Sequence, residues 1–227
     1  MTIIAIHQPQ YLPWLPYFQK MALADIFVYL DDVQYQRRGV QNRNQIKSVS
    51  GPIWLTVPVT GSRNTLISDM KIANQEWQKK HVKSIEFNYK KAPYYDIFDE
   101  LFKPIFQKNH ESLVELNIEF CEVFHNFLGL TTECVKASEL NCQGYKEEYI
   151  INICKELNAT TYLSGSGAKD YQKNENFINQ GIELEYLHAD MPVYSQYHEA
   201  LGFIEGMSAL DIILNIGENV KEYIKYK

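Results

Sequence analysis

A chain of 227 residues with 45% hydrophobic and 22% charged residues can bury a substantial core, and it predicts one domain, or one domain with a small helical elaboration. A net charge of -6 and a pI near 5.6 argue against a nucleic-acid surface, which needs basic residues to displace phosphate counterions. No secretory n-region precedes Ile3, and the apolar runs fall short of the roughly 20 residues of a membrane helix, so a soluble, cytoplasmic protein without membrane insertion is expected.

In chain order, residues 3–6 suit a buried strand that must stop at His7-Gln8-Pro9, because Pro9 cannot donate to a sheet ladder. Tyr17, Phe18, Met21, Ala22 and Leu23 then recur at helical spacing, and a second apolar run over 26–30 ends in Asp31-Asp32. This is a β-loop-α-β unit with polar residues at both strand ends. Parallel α/β sheets collect ligands outside the carboxyl ends of their strands, so His7, Gln8, Asp31, Asp32 and Gln34 are expected to converge on one crevice. Adjacent side chains of a strand face opposite ways, and Asp32, sharing a face with Gln34, is the better of the two acids. A carboxylate there can bind a substrate amine, orient His7 or hold a divalent ion, though no compact set of metal ligands is visible.

Residues 44–49 and 53–59 flank Ser50-Gly51-Pro52 and predict a hairpin. Just before it, Gln41, Asn42, Arg43 and Asn44 read as a loop beside Lys47, in which Arg43 offers a fork for phosphate or carboxylate. A loop over 60–65, a short strand over 67–72 and a helix over 75–89 follow, and Pro93 and Pro104 divide two more helical pieces. An amphipathic helix over 111–128 should end at Gly129, which completes a largely helical insertion near 75–130. The last third predicts strands over 132–136, 160–163 and 183–188 alternating with helices over 146–157 and 174–180. A final helix over 207–214 is begun by Ser208. The expected fold is α/β, a Rossmann-like layered sheet with an inserted β-hairpin and a central helical segment.

The strand over 160–163 runs into Ser164-Gly165-Ser166-Gly167, where glycines let a backbone approach a ligand and successive amides can bind an anion. The run is neither a Walker A sequence nor a G-x-S-x-G elbow, and a tight turn explains it equally well. His188 opens another polar cluster with Asp190, Tyr194 and Gln196. If both halves of the sheet open the same way, His188 and Ser164 join His7, Asp32 and Arg43 in one cleft. Trp14, Tyr17 and Tyr11 serve either as core or as stacking platforms. Cys121, Cys134, Cys142 and Cys154 lack C-x-x-C spacing and read as reduced thiols, with Cys142 in a polar loop.

HQPQYLPW at 7–14, the strand DIFVYLDDVQ at 25–34 and QNRNQIK at 41–47 resemble the WbqC-like family of bacterial proteins, whose genes commonly sit in O-antigen and other surface-polysaccharide clusters. The likeness continues through WLTVPV at 54–59, YLSGSGAKDY at 162–171 and MSALDIILNIG at 207–217. It implies a transferase that places a glycyl or other small acyl group on the amine of a nucleotide-linked amino sugar. A non-catalytic sugar-nucleotide-binding protein and a nucleotidyltransferase-like enzyme are the alternatives. The early histidine is similar to that of HIGH-motif nucleotidyltransferases, but the second histidine of that motif is missing. In the transferase reading His7 or His188 supplies the base, with Asp32 beside them, and the amides of Ser164 to Gly167 meet the oxyanion. Arg43 and Lys47 bind diphosphate, Trp14 or Tyr17 lies against base or sugar, and Gln8, Gln34 and Asn42 complete the substrate contacts. The expected partners are the amino-sugar nucleotide and an acyl or aminoacyl donor, with homo-oligomer formation left open and the cofactor unknown.

Overall fold

The computed structural model describes every residue except Arg63, Tyr171, Asp190 and Lys227; the expected roles of Tyr171 and Asp190 lie outside the described residues. The chain opens with β1 (Ile3–His7), α1 (Leu15–Ala22) and β2 (Ile26–Tyr29). An antiparallel hairpin follows, β3 (Arg43–Ser48) with β4 (Gly51–Thr56), and then a two-residue pair, β5 (Val59–Thr60) with β6 (Lys71–Ile72). The helical part holds α2 (Glu76–Tyr89) and α3 (Leu113–Leu128). The last part runs β7 (Glu133–Lys136), α4 (Glu147–Glu156), β8 (Thr161–Ser164), α5 (Asn174–Ile178), β9 (Glu183–Tyr186) and α6 (Ala209–Ile216).

Five strands form one parallel sheet in the order β7-β2-β1-β8-β9. The chain steps outward from β1 to β2 and β7, then returns across β1 to lay down β8 and β9, so the order reverses between β1 and β8. Strands buried on both faces read as continuous apolar runs, and here alternate residues serve different cores. Ala5, Phe27 and Leu163 enter the larger core under α1, α3 and α6, while Ile4, Ile6, Val28 and Tyr162 enter a smaller one with α4 and Phe177 of α5. This is the Rossmann-like layered fold, with the hairpin and the central helices inserted between β2 and β7.

Local chemistry sets the helix ends. Ser112 Oγ accepts from the Glu115 amide at 3.4 Å to open α3, and Gly129, at φ +69°, closes it in the left-handed region that side chains disfavour. Ser208 Oγ accepts from the Leu210 amide at 3.2 Å to begin α6.

Several expected elements shift. The hairpin turns at Val49-Ser50, and Gly51 and Pro52 lie inside β4 opposite Ser48 and Lys47; a two-stranded ribbon has free edges on which proline is tolerated. Residues 67–72 form a tight helical turn over Ile67–Asp69 before the two residues of β6. The Ser68 amide donates to the Asp31 carbonyl at 2.7 Å, which takes that backbone out of a ladder. The pieces after Pro93 and Pro104 are single turns, a wide one over Phe98–Phe102 and a tight one over Ile105–Gln107. Among the described residues no helix is long and apolar enough to cross a membrane.

A carboxylate fastens the C-terminal segment. Asp211 on α6 is fully buried and accepts from Tyr89 of α2 at 2.5 Å, from Tyr194, and from Gln196 Nε2 at 2.9 Å. Burial raises its pKa, while these donors and the nearby Lys47 pull it back. Gln196 also bonds both the amide and the carbonyl of Ile204, so the segment 194–204 is folded onto α6. Asp211→Ala strands three buried donors and is expected to cost about 3 kcal/mol. Urea unfolding checks this, and a loss under about 1 kcal/mol would show that the cluster does not hold the segment.

Candidate functional site

The reversal of strand order leaves a crevice beyond the carboxyl ends of β1 and β8, where open α/β sheets take ligands. A cleft of about 490 Å³ lies there. His7 and Gln8 form its floor, Trp14, Tyr17 and Lys20 one wall, and Ser164 to Ala168 the opposite rim. Leu187 and Ala189, after β9, close the far side.

Lys20 is the residue that the sequence reading overlooked. It is 3% exposed, and its Nζ donates to the Ile6 carbonyl at 2.7 Å. Burial alone lowers its pKa to about 7, so the amine is present in both protonation states near neutrality. A search for one apolar helical stripe assigns Gln19 and Lys20 to solvent, yet every residue of α1 is buried, because one side of the helix meets the core and the other walls the cleft. The available signal was position: Lys20 follows Pro16 by four residues and Tyr17 by three, which puts all three on the same side of the helix.

His7 is held neutral. Burial is the main cause, and the Lys20 charge adds to it, together lowering the ring's pKa to about 3 although the Gln8 carbonyl pulls the other way. Nδ1 lies 3.1 Å from that carbonyl, to which it donates in the tautomer that leaves the lone pair on Nε2; in the other tautomer Nδ1 accepts from Gln10 Nε2 at 3.4 Å. The ring stands edge-on to Tyr17 at 4.9 Å between centroids. Tyr17 is 1% exposed, and its hydroxyl lies on the core side near Cys121 and Tyr29, so it walls and positions His7 and is not a stacking platform. Trp14, 40% exposed, has ring surface to offer.

On the opposite rim, Ser164 Oγ and Gln172 Oε1 are buried beside the Tyr162 hydroxyl without an aligned partner among the described residues. Gly165 and Gly167 do not adopt positive φ, and a Cβ at either would meet nothing within 4 Å. Neither backbone conformation nor packing in the fold demands glycine at these two positions.

The other expected site residues lie elsewhere. Asp31 and Asp32 fall after β2 ends at Tyr29, so strand alternation does not govern them. Asp31 accepts from the Ser138 amide at 2.9 Å and hydroxyl at 2.6 Å, and Asp32 accepts from the Tyr149 hydroxyl. Neither lines the cleft, and Gln34 is exposed, bridged to the Leu66 main chain. His188 is exposed and stands outside the lining although both its neighbours belong to it. Asn42 and Arg43 line a second groove, and β3 carries Lys47 four residues onward, about 13 Å along an extended strand. There Lys47 is fully buried and donates to the Gly202 carbonyl at 2.7 Å. The single pocket expected to unite His7, Asp32, Arg43 and His188 is therefore not formed. Cys142 is no activated thiol, since burial and nearby acids raise its pKa. Among the described residues no three His, Cys, Asp or Glu side chains gather to hold a metal ion.

Fold and cleft together define an α/β protein with a ligand crevice at the switch point of a parallel sheet. The chain belongs to the WbqC-like protein family, which residues 8–223 match. It is also 32% identical over 230 residues to an uncharacterised protein of Mycobacterium tuberculosis (strain ATCC 25618 / H37Rv), an alignment covering 100% of this chain and 99% of that one. No solved structure matches it.

Two expectations follow from the cleft. An ordinary lysine titrates at 10.5, so between about pH 7 and 10.5 the unfolded chain binds the extra proton and stability rises with pH. The advantage of Lys20→Met over the wild type should be greatest at and below pH 7 and shrink toward about pH 10 in urea titrations; a difference constant with pH would show that folding does not disfavour the charged amine. Gly165→Ala should leave the melting temperature within about 2 °C of the wild type, since its Cβ meets open space. A larger loss would mean that the fold itself requires the glycine.

Proposed function

We propose that this chain is a cytoplasmic transferase for surface-polysaccharide precursors, placing a glycyl or other small acyl group on the amine of a nucleotide-linked amino sugar. The observation that carries this reading is the pair of nitrogens in the switch-point cleft, Lys20 and His7, both with lowered pKa. In acyl transfer the amine attacks the donor carbonyl, a C–N bond forms, the donor's leaving group departs with the electron pair of its bond, and the amine sheds a proton. A base for that proton works best with a pKa near the ambient pH.

Lys20, at about 7, meets this condition, whereas His7, at about 3, is too weak a base. The role first assigned to a histidine therefore passes to the lysine. His7 accepts a hydrogen bond from the substrate amine at Nε2 and aligns it. The Ser164 hydroxyl and the first amides of the turn over Ser166–Ala168 are donors for the charge developing on the carbonyl oxygen. Trp14 offers a face to sugar or base.

Purified protein incubated with nucleotide-linked amino sugars and either glycine with ATP or acyl thioesters should yield an acylated amino sugar, detected by mass spectrometry. Lys20→Met should lower turnover by about 10²-fold or more and abolish a pH–rate limb near 7, with His7→Asn less severe. Binding of the nucleotide sugar without any product under all donors would favour a non-catalytic binding protein. Full turnover in Lys20→Met would remove Lys20 from the base's role.

A further inference from the structure

The basic turn after β2 builds a second groove that the proposed chemistry leaves unused. It encloses about 760 Å³ between that turn and the segment joining β4 to β5, and Tyr35, Arg37, Arg38, Arg43 and Ser62 line it. Among the described residues no acidic side chain lines it. Among the described residues none of the three guanidinium groups forms an ion pair, although the chain as a whole carries a net charge of -6.

Arg43 is fixed in place before any ligand arrives. Its guanidinium stacks on Trp54 at 4.2 Å from the ring centroid, Nη2 donates to the Arg38 carbonyl, and Nε is buried with no acceptor among the described residues. Arg38 supplies that carbonyl from the left-handed region, at φ +66°, an uncommon conformation for a side chain of its size. A fork so held loses little further freedom on binding, which is how preorganisation raises affinity. Tyr35 gathers the cations: burial raises its phenol's pKa while the charges of Arg43 and Arg37 pull it back, so both act on one hydroxyl that can itself donate to an anion.

We propose that this groove is a binding site for a phosphoryl anion, a diphosphate group on a small molecule, distinct from the His7 cleft. A lone carboxylate would satisfy one guanidinium and leave two unmatched, whereas a diphosphate presents enough charge and oxygens for all three. A nucleic acid is disfavoured by the acidic remainder of the surface. Gln41, two residues before Arg43 and outside the groove's lining, donates from Nε2 to Gln8 Oε1 of the cleft at 2.6 Å, and the groove's assignment does not rest on the acyl-transfer reading.

Inorganic diphosphate titrated into the full chain, followed by calorimetry and by tryptophan fluorescence, should bind more tightly than monophosphate. Arg37→Gln alters an exposed side chain and should weaken binding by about tenfold without moving the melting temperature; adding Arg43→Lys should weaken it further. Lys20→Met should bind as the wild type does. Uridine diphosphate, a diphosphate carried on a small molecule, should compete with inorganic diphosphate, and its failure to compete would overturn the proposal. No diphosphate binding by the wild type at about 1 mM, the affinity of a very weak complex, or unchanged affinity in a normally melting Arg37→Gln, would overturn the proposal. So would loss of binding in Lys20→Met, since the anion would then lie in the cleft.

Discussion

Parallel strands that stop pairing leave backbone carbonyls facing a gap, and a buried gap needs a donor. Between β1 and β8 the register ends at Ala5–Leu163, and the next carbonyl of β1, that of Ile6, accepts from Lys20 Nζ. That one hydrogen bond lets the sheet split without an orphaned acceptor. It also requires an amine to be buried without an acid beside it, and the pKa of Lys20 falls as a result. His7, one residue further on, feels both the burial and that charge. The chemistry of the cleft is thus a by-product of how the strands part.

The second buried lysine shows what an acid nearby changes. Lys47 is less exposed than Lys20 and also donates to a backbone carbonyl, yet Asp211 and Glu199 lie close enough to favour its charge. It belongs to the clamp that fixes the C-terminal segment. Burial lowers the pKa of both amines, alone at Lys20 and against the opposing pull of two carboxylates at Lys47.

The parts legible in the sequence were those governed by local rules. Pro9 ended β1, Gly129 closed α3, Ser208 opened α6, and the two-sided apolar runs marked the central strands. Convergence of His7 and Gln8 with Ser164, Gly165 and Gly167 followed from the strand-end rule for parallel sheets, because these residues sit at or just after strand ends. Asp32 and His188 were misplaced for the converse reason. Both lie past the last paired residue of a strand, where alternation gives no direction, and tertiary partners such as the Tyr149 hydroxyl decide. Lys47 was placed in the strand over 44–49 beside a loop ending at Asn44, but that strand, β3, already begins at Arg43, so Arg43 and Lys47 are spaced along an extended backbone and do not meet at one site. Lys20 was hidden because a helix buried on two sides has no solvent stripe from which to read its orientation.

The distance along the chain between β1 and β8 also bears on synthesis. Ile3 finds Thr161, and the Thr2 amide finds the Thr160 hydroxyl, only after 158 further residues have been made. At the usual pace of about 5 to 20 residues per second, β1 waits roughly 8 to 30 s on the ribosome with one edge open. β2 can cover its other edge almost at once, since only the short α1 unit lies between them. A nascent chain halted before residue 161 therefore presents half a cleft and an unpaired apolar strand, the kind of edge on which chains join one another.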